Sequence, residues 1–162
     1  MRIIFWKKIF IIINFLFFFL GFLLNEDAAG GGKGDFELHI YGNIILFQNY
    51  SFFQIPWNLY DSTSLPLYYL VLKFLVHSKN PLAFQLFTFA LSLLVIFIFY
   101  ICLKEKYNIK KKIDYNILFL SSIPLLSPFY RSSAFFGLEE NIGFFFFINH
   151  FLFLLKKSKL SK

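Results

Sequence analysis

From Pro81 to Leu103 the chain carries no charged residue. A helix of about 20 apolar residues crosses a hydrocarbon core of roughly 30 Å, because it satisfies its own backbone N–H and C=O groups. A run of this length and purity points to a membrane. A second run goes from Ile9 to Leu24, broken only by Asn14 and Gly21. Counted from Ile3, it is also long enough to cross. The chain is 58% hydrophobic, above the roughly 45–50% of a soluble domain. The excess is largely Phe, Ile and Leu. Because the Phe, Ile, Lys and Asn bias fits an AT-rich genome, Phe itself carries no functional weight. Cys102 is the single cysteine and sits within an apolar run, so an internal disulfide and a Cys–His metal spacing are both excluded.

These runs predict an all-α integral membrane protein with about four transmembrane helices and further juxtamembrane helices. The spans are about 3–24, 81–103, 117–130 and 142–155. Residues 25–80 and 131–141 form external loops, 104–116 a cytoplasmic loop, and 156–162 a cytoplasmic tail. A cleaved signal peptide is the rival reading of the first segment. Its apolar run exceeds the usual stretch of about 7–15 residues, and Glu26-Asp27 occupy positions where cleavage wants small side chains. Within the first loop, Ile40 to Phe53 reads as a surface helix, with Tyr41, Tyr50, Trp57 and Tyr60 as an interfacial belt. Ser62-Thr-Ser-Leu-Pro66 reads as a helix start. Leu67 to Val76 is too short to span, which suits a surface or re-entrant helix ending at His77-Ser-Lys-Asn80. Pro124 and Pro128 kink the third span.

Charge orients this arrangement. With an even number of crossings, Arg2, Lys7, Lys8, the lysines from Lys104 to Lys112 and those from Lys156 to Lys162 share one side. The positive-inside rule makes that side, and both termini, cytoplasmic. The membrane is the inner or plasma membrane in a bacterium, or the endoplasmic reticulum in a eukaryote. Most acids sort to the other side, with only Glu105 and Asp114 inside. The basic run Lys104–Lys112 reads as an anchor to anionic lipid. Nothing else supports a nucleic-acid partner.

The sharpest change in composition is Gly30-Gly-Gly-Lys-Gly-Asp35-Phe-Glu37-Leu-His39. Its glycines allow a tight turn that presents Asp35 and Glu37, with His39 close by. Glu139 and Glu140 come from the second external loop. Ile142 to Leu155 makes only roughly 21 Å of helix at about 1.5 Å per residue. A spanning helix must therefore begin earlier or thin the bilayer, and the earlier start draws the glutamates to the interface. Acids at that depth face a cavity or a partner such as Arg131. Carboxylates gathered on one face can bind a divalent cation, Mg or Mn, through oxygen, or act as a general base toward an attacking hydroxyl. A phosphate loop is excluded because Lys33 is followed by Gly rather than Ser or Thr. His77 and His150 stand alone and read as structural.

The order of these features resembles the N-terminal part of the GT-C class of membrane glycosyltransferases. The resemblance rests on Asp35-Phe-Glu37-Leu-His39, Asp61-Ser-Thr-Ser-Leu-Pro66-Leu-Tyr-Tyr, Ser127-Pro-Phe-Tyr-Arg131 and Gly137-Leu-Glu139-Glu140-Asn. The class includes the protein O-mannosyltransferases, the aminoarabinose transferases of lipid A and the dolichyl-phosphate-glucose-dependent glucosyltransferases. The resemblance implies transfer of a sugar from a polyprenyl-phosphate carrier, outside the cytoplasm and usually with inversion. It implies Asp35 as catalytic base with Glu37 as the alternate, Glu139 or Glu140 on the acceptor or metal side, Arg131 toward the carrier phosphate, and His39 as a weaker metal candidate. Members of the class have about twice as many helices or more. The chain is therefore expected to be a truncated or split enzyme completed by a second polypeptide. The other reading is a non-catalytic multi-pass protein, a subunit or lipid-binding adaptor in the bilayer. A secondary-transporter fragment is disfavoured because no internal repeat is visible.

Overall fold

The computed structural model describes residues 2–61, 66–76 and 79–160, with side chains within residues 3–157. The expected helix start at Ser62-Thr-Ser and the end at His77-Ser78 lie outside the described residues. Those residues form helices and turns with no strand. α1 is Arg2–Leu23, α2 Gly32–Asp35, α3 Tyr41–Asn49, α4 Pro66–Leu75, α5 Pro81–Lys106, α6 Tyr115–Ser122, α7 Pro128–Phe136 and α8 Glu140–Leu160. A π-helical turn, Phe36–Ile40, joins α2 to α3. α1 and α5 are long and apolar enough to cross a membrane. A third crossing results if α7 and α8, bent by 107°, count as one. By length and apolarity the chain thus offers two or three such helices against the expected four.

The ends of α5 follow from its sequence. Asn80 caps it, its side chain accepting from the Leu82 N–H at 3.0 Å, and Pro81 takes the first turn. Lys104 and Lys106 sit at the far end, where cations suit the helix dipole. Asp114 caps α6, accepting from Asn116 and Ile117 N–H. The prolines that were expected to kink one span instead break it. α6 stops at Ser122, a 3-10 turn holds Pro124, and Ser127 caps a new helix opening at Pro128. Ser127-Pro128 repeats the Asn80-Pro81 start signal, so a fresh helix begins rather than a bent one continuing. Residues 131–136, expected in a loop, are consequently helical and mostly buried.

α1 ends in a Schellman motif. Asn25 adopts a left-handed φ of 55°, Asn25 N–H donates to Phe22 O at 3.1 Å, and Glu26 N–H donates to Gly21 O at 2.9 Å. This turn folds Glu26 back over the last turn of α1. α7 ends similarly at Gly137, with φ 68°. The Tyr68 hydroxyl of α4 donates to Gly137 O and so ties the surface helices to the bend.

α1 and the α6–α7 segment run in the same direction. Lys7 donates to Asn116, Asn14 to Ser122 at 3.0 Å, and Arg131 reaches Phe17 O and Glu26. α5 and α8 also run together: Asn141 meets Ser92 and Cys102 meets Ile148 O. Phe18, Phe89 and Phe135 fill the centre, with ring centroids 5.1 Å apart for both Phe18 pairs. Such pairs contribute about 0.5–1.5 kcal/mol beyond the area they bury. Asn14, the one polar break in the middle of α1, bonds a neighbouring helix. Hydrogen bonds of this kind within a membrane average about 0.6 kcal/mol.

Candidate functional site

The loop after α1 is built on Asp27. Its carboxylate accepts from the N–H groups of Gly31 at 2.9 Å and Gly32 at 3.0 Å. Gly31 takes a φ of 108°, which an L side chain rarely adopts. Gly32 lies so close to α7 that a Cβ there would stand 3.1 Å from Ser132 Cβ and 3.2 Å from Phe136. Ala29 N–H donates to Ser132 Oγ at 3.0 Å. The glycine run is therefore clamped onto α7.

That clamp makes one wall of a chamber of about 520 Å³. Gly30, Gly32 and Asp35 come from the loop and α2. Pro124, Ser127, Tyr130 and Ser132 come from the broken helix. Glu140, Asn141 and Phe144 come from the start of α8. Asp35 and Glu140 are both exposed and border the same opening. No Lys, Arg or His is among the lining residues.

The other candidates separate. Residues two apart on a helix do not share a face, and Glu37 lines a different cleft with Tyr41 and Gln85. There it pairs with Lys33 at 3.9 Å. Glu139 diverges from Glu140 toward α4: its charge helps raise the phenols of Tyr60 and Tyr68, after burial and Tyr69. His39 Nδ1 contacts Asp61 beside α3, and Asn43 holds the Asp61 peptide through two 3.0 Å bonds. Arg131 pairs with Glu26 and is absent from the chamber lining.

Asp35 and Glu140 are hard oxygen donors of the type Mg²⁺ takes while keeping several waters. Among the described residues no three His, Cys, Asp or Glu gather as a metal cage. Asp27 and Glu26 were read from sequence as ordinary loop acids, yet they organise the loop and hold Arg131. The available signal was Asp27 standing four residues before Gly31-Gly32. Asn141, which was not singled out, is 1% exposed and lines the chamber. Compared with protein-family models, curated proteins and solved structures, the chain matches none.

Proposed function

We propose that the chain is a multi-pass membrane protein and a glycosyltransferase of GT-C type, acting alone or with a second polypeptide that supplies the donor-lipid pocket. Four passes, α1, α5, the broken α6–α7 segment and α8, put both termini on the cytoplasmic side. Asp35 takes the proton of an acceptor hydroxyl. That oxygen then attacks the anomeric carbon of a polyprenyl-phosphate sugar, and the polyprenyl phosphate departs. Glu140 orients the acceptor, or shares with Asp35 a water-rich Mg²⁺ or Mn²⁺. The observation that supports this reading is the shared chamber of Asp35 and Glu140, two acids distant in the chain. The test is transfer from a polyprenyl-phosphate sugar in membranes holding the complete system. Asp35→Asn is expected to abolish transfer without loss of membrane insertion; undiminished transfer removes Asp35 as base.

The non-catalytic reading, a subunit or lipid-binding adaptor, draws support from Arg131. Its guanidinium is held by Glu26, so the residue expected to face a carrier phosphate is already engaged. On this reading, neutral substitutions at Asp35, Glu37, Glu139 and Glu140 leave every transfer assay unchanged.

A further inference from the structure

The chamber has an apolar neighbour. A slot of about 190 Å³ lies between α5 and α8, walled by Val95, Ile96 and Phe99 on one side and Phe147 and Ile148 on the other. The two cavities share Pro124, Tyr130 and Phe144. The slot offers no polar group: the Tyr130 hydroxyl is the one candidate, and it donates to Ser92 O at 2.6 Å. Phe144 and Phe147 are 51% and 68% exposed, so the slot is open along its flank.

At the chamber end, every charged or unmatched group accepts. Asp35 and Glu140 are carboxylates. Asn141 Nδ2 donates to Ser92 Oγ at 2.7 Å and to Tyr130 O at 3.1 Å. A carbonyl can only accept, so the bond to Tyr130 fixes which edge of the amide is Nδ2. Asn141 Oδ1 is the remaining edge, buried and without a hydrogen-bond partner among the described residues. A buried acceptor left unmatched is costly, and a ligand donor relieves that cost.

We infer that the chamber and slot together bind a membrane amphiphile, its alkyl tail between α5 and α8 and its head group, rich in hydroxyl or ammonium donors, against Asp35, Glu140 and Asn141 Oδ1. A phosphate head is rejected, because two carboxylates and no cation face it. The size and make-up suit such a ligand: mostly apolar walls with a few placed polar groups. The site does not depend on sugar transfer. Its test reads binding rather than turnover, so failure here and failure of the transferase reading are separate results.

The test uses the full chain in phosphatidylcholine nanodiscs and three alkyl probes. Each carries a diazirine at the tail end, and they differ only in the head: glucoside, primary ammonium or phosphate monoester. Photolabelled positions are mapped by mass spectrometry. The glucoside or the ammonium probe is expected to label the Phe99 and Phe147–Ile148 walls about fivefold more than the phosphate probe, the scale of one added hydrogen bond. Ile148→Trp fills the slot and is expected to remove that labelling. Asn141→Leu risks the fold because it breaks the Ser92 and Tyr130 bonds. The exposed pair Asp35→Asn with Glu140→Gln therefore serves instead and is expected to erase the preference over phosphate. Equal or stronger labelling by the phosphate probe overturns the assignment. So does labelling on the outer face of α1 that Ile148→Trp leaves untouched.

Discussion

Arg131 of α7 is ion-paired with Glu26, the residue that the Schellman turn folds back over the end of α1. The arginine side chain is 15% exposed and the glutamate 39%. Arg131 also donates to Phe17 O at 3.2 Å. This pair fastens the first helix to the element that carries one wall of the chamber.

Removing one partner leaves a largely buried guanidinium without its counter-charge. Glu26→Gln is expected to cost about 1–3 kcal/mol, between the values for exposed and fully buried pairs. The measurement is the unfolding midpoint in detergent micelles. Combining Glu26→Gln with Arg131→Met is expected to recover part of the loss; a double variant worse than the sum of both singles refutes a specific pair.

Gly21 makes room for that pair. A Cβ there would lie 2.6 Å from Glu26 Oε2 and 2.9 Å from Phe135. Gly21→Ala is expected to destabilise the fold by about 1–3 kcal/mol through overpacking. Gly143, on α8, has nothing within 4 Å of the same position. Gly143→Ala is expected to be neutral or to stabilise by up to about 1 kcal/mol, the helix-propensity gain. The same thermal melts compare the two, and equal effects contradict the crowding seen at Gly21.

The carboxylates are expected to divide by cavity. Asp35→Asn and Glu140→Gln lower sugar transfer, whereas Glu37→Gln, on the other cleft, keeps it within about twofold, less than 1 kcal/mol. Transfer rates of the three variants at matched expression decide this. A Glu37→Gln loss as deep as that of Asp35→Asn would move the base to the second cleft.

The phenol of Tyr60 is pushed up to about 12 by burial first, then by Tyr69, Glu139 and Asp61. The folded state thus holds this proton more tightly than the unfolded chain, whose phenol titrates near 10. Its contribution to stability is complete below about pH 10 and is lost as pH rises through about 12. Urea or SDS unfolding midpoints at about pH 9 and about pH 11 are expected to fall for the parent and to fall less for Tyr60→Phe. Identical declines in both proteins would assign the alkaline loss elsewhere.

The start of α5 is legible because Asn80 and Pro81 are a local signal: a capping amide followed by a residue already set for the first turn. Ser127-Pro128 is the same signal, yet its apolar flanks favour reading one kinked span. Flanking apolarity cannot say whether the chain goes straight on or restarts in a new direction. Asp35 was found through its glycines, and its alternate Glu37 was retained because a loop lets both acids face one place. Once those residues are helical, spacing alone sends them apart. The Glu26–Arg131 pair was out of reach, since it depends on Asn25 taking a left-handed conformation and on Gly21 being bare. Neither is a property of an isolated residue type.

Only 17% of the most apolar stretch of α1 is buried within the fold, against 39% for α5. Its grip is one stripe, Asn14 and Phe18 among it, while Ile12, Leu16 and Phe17 look outward. In a bilayer those outward positions meet only acyl chains, to which Phe, Leu and Ile are nearly interchangeable. Mutation can drift freely there. The genome's taste for A and T can write itself on the rim of this rod at no structural expense, and a record of selection should be sought on the narrow inner stripe instead.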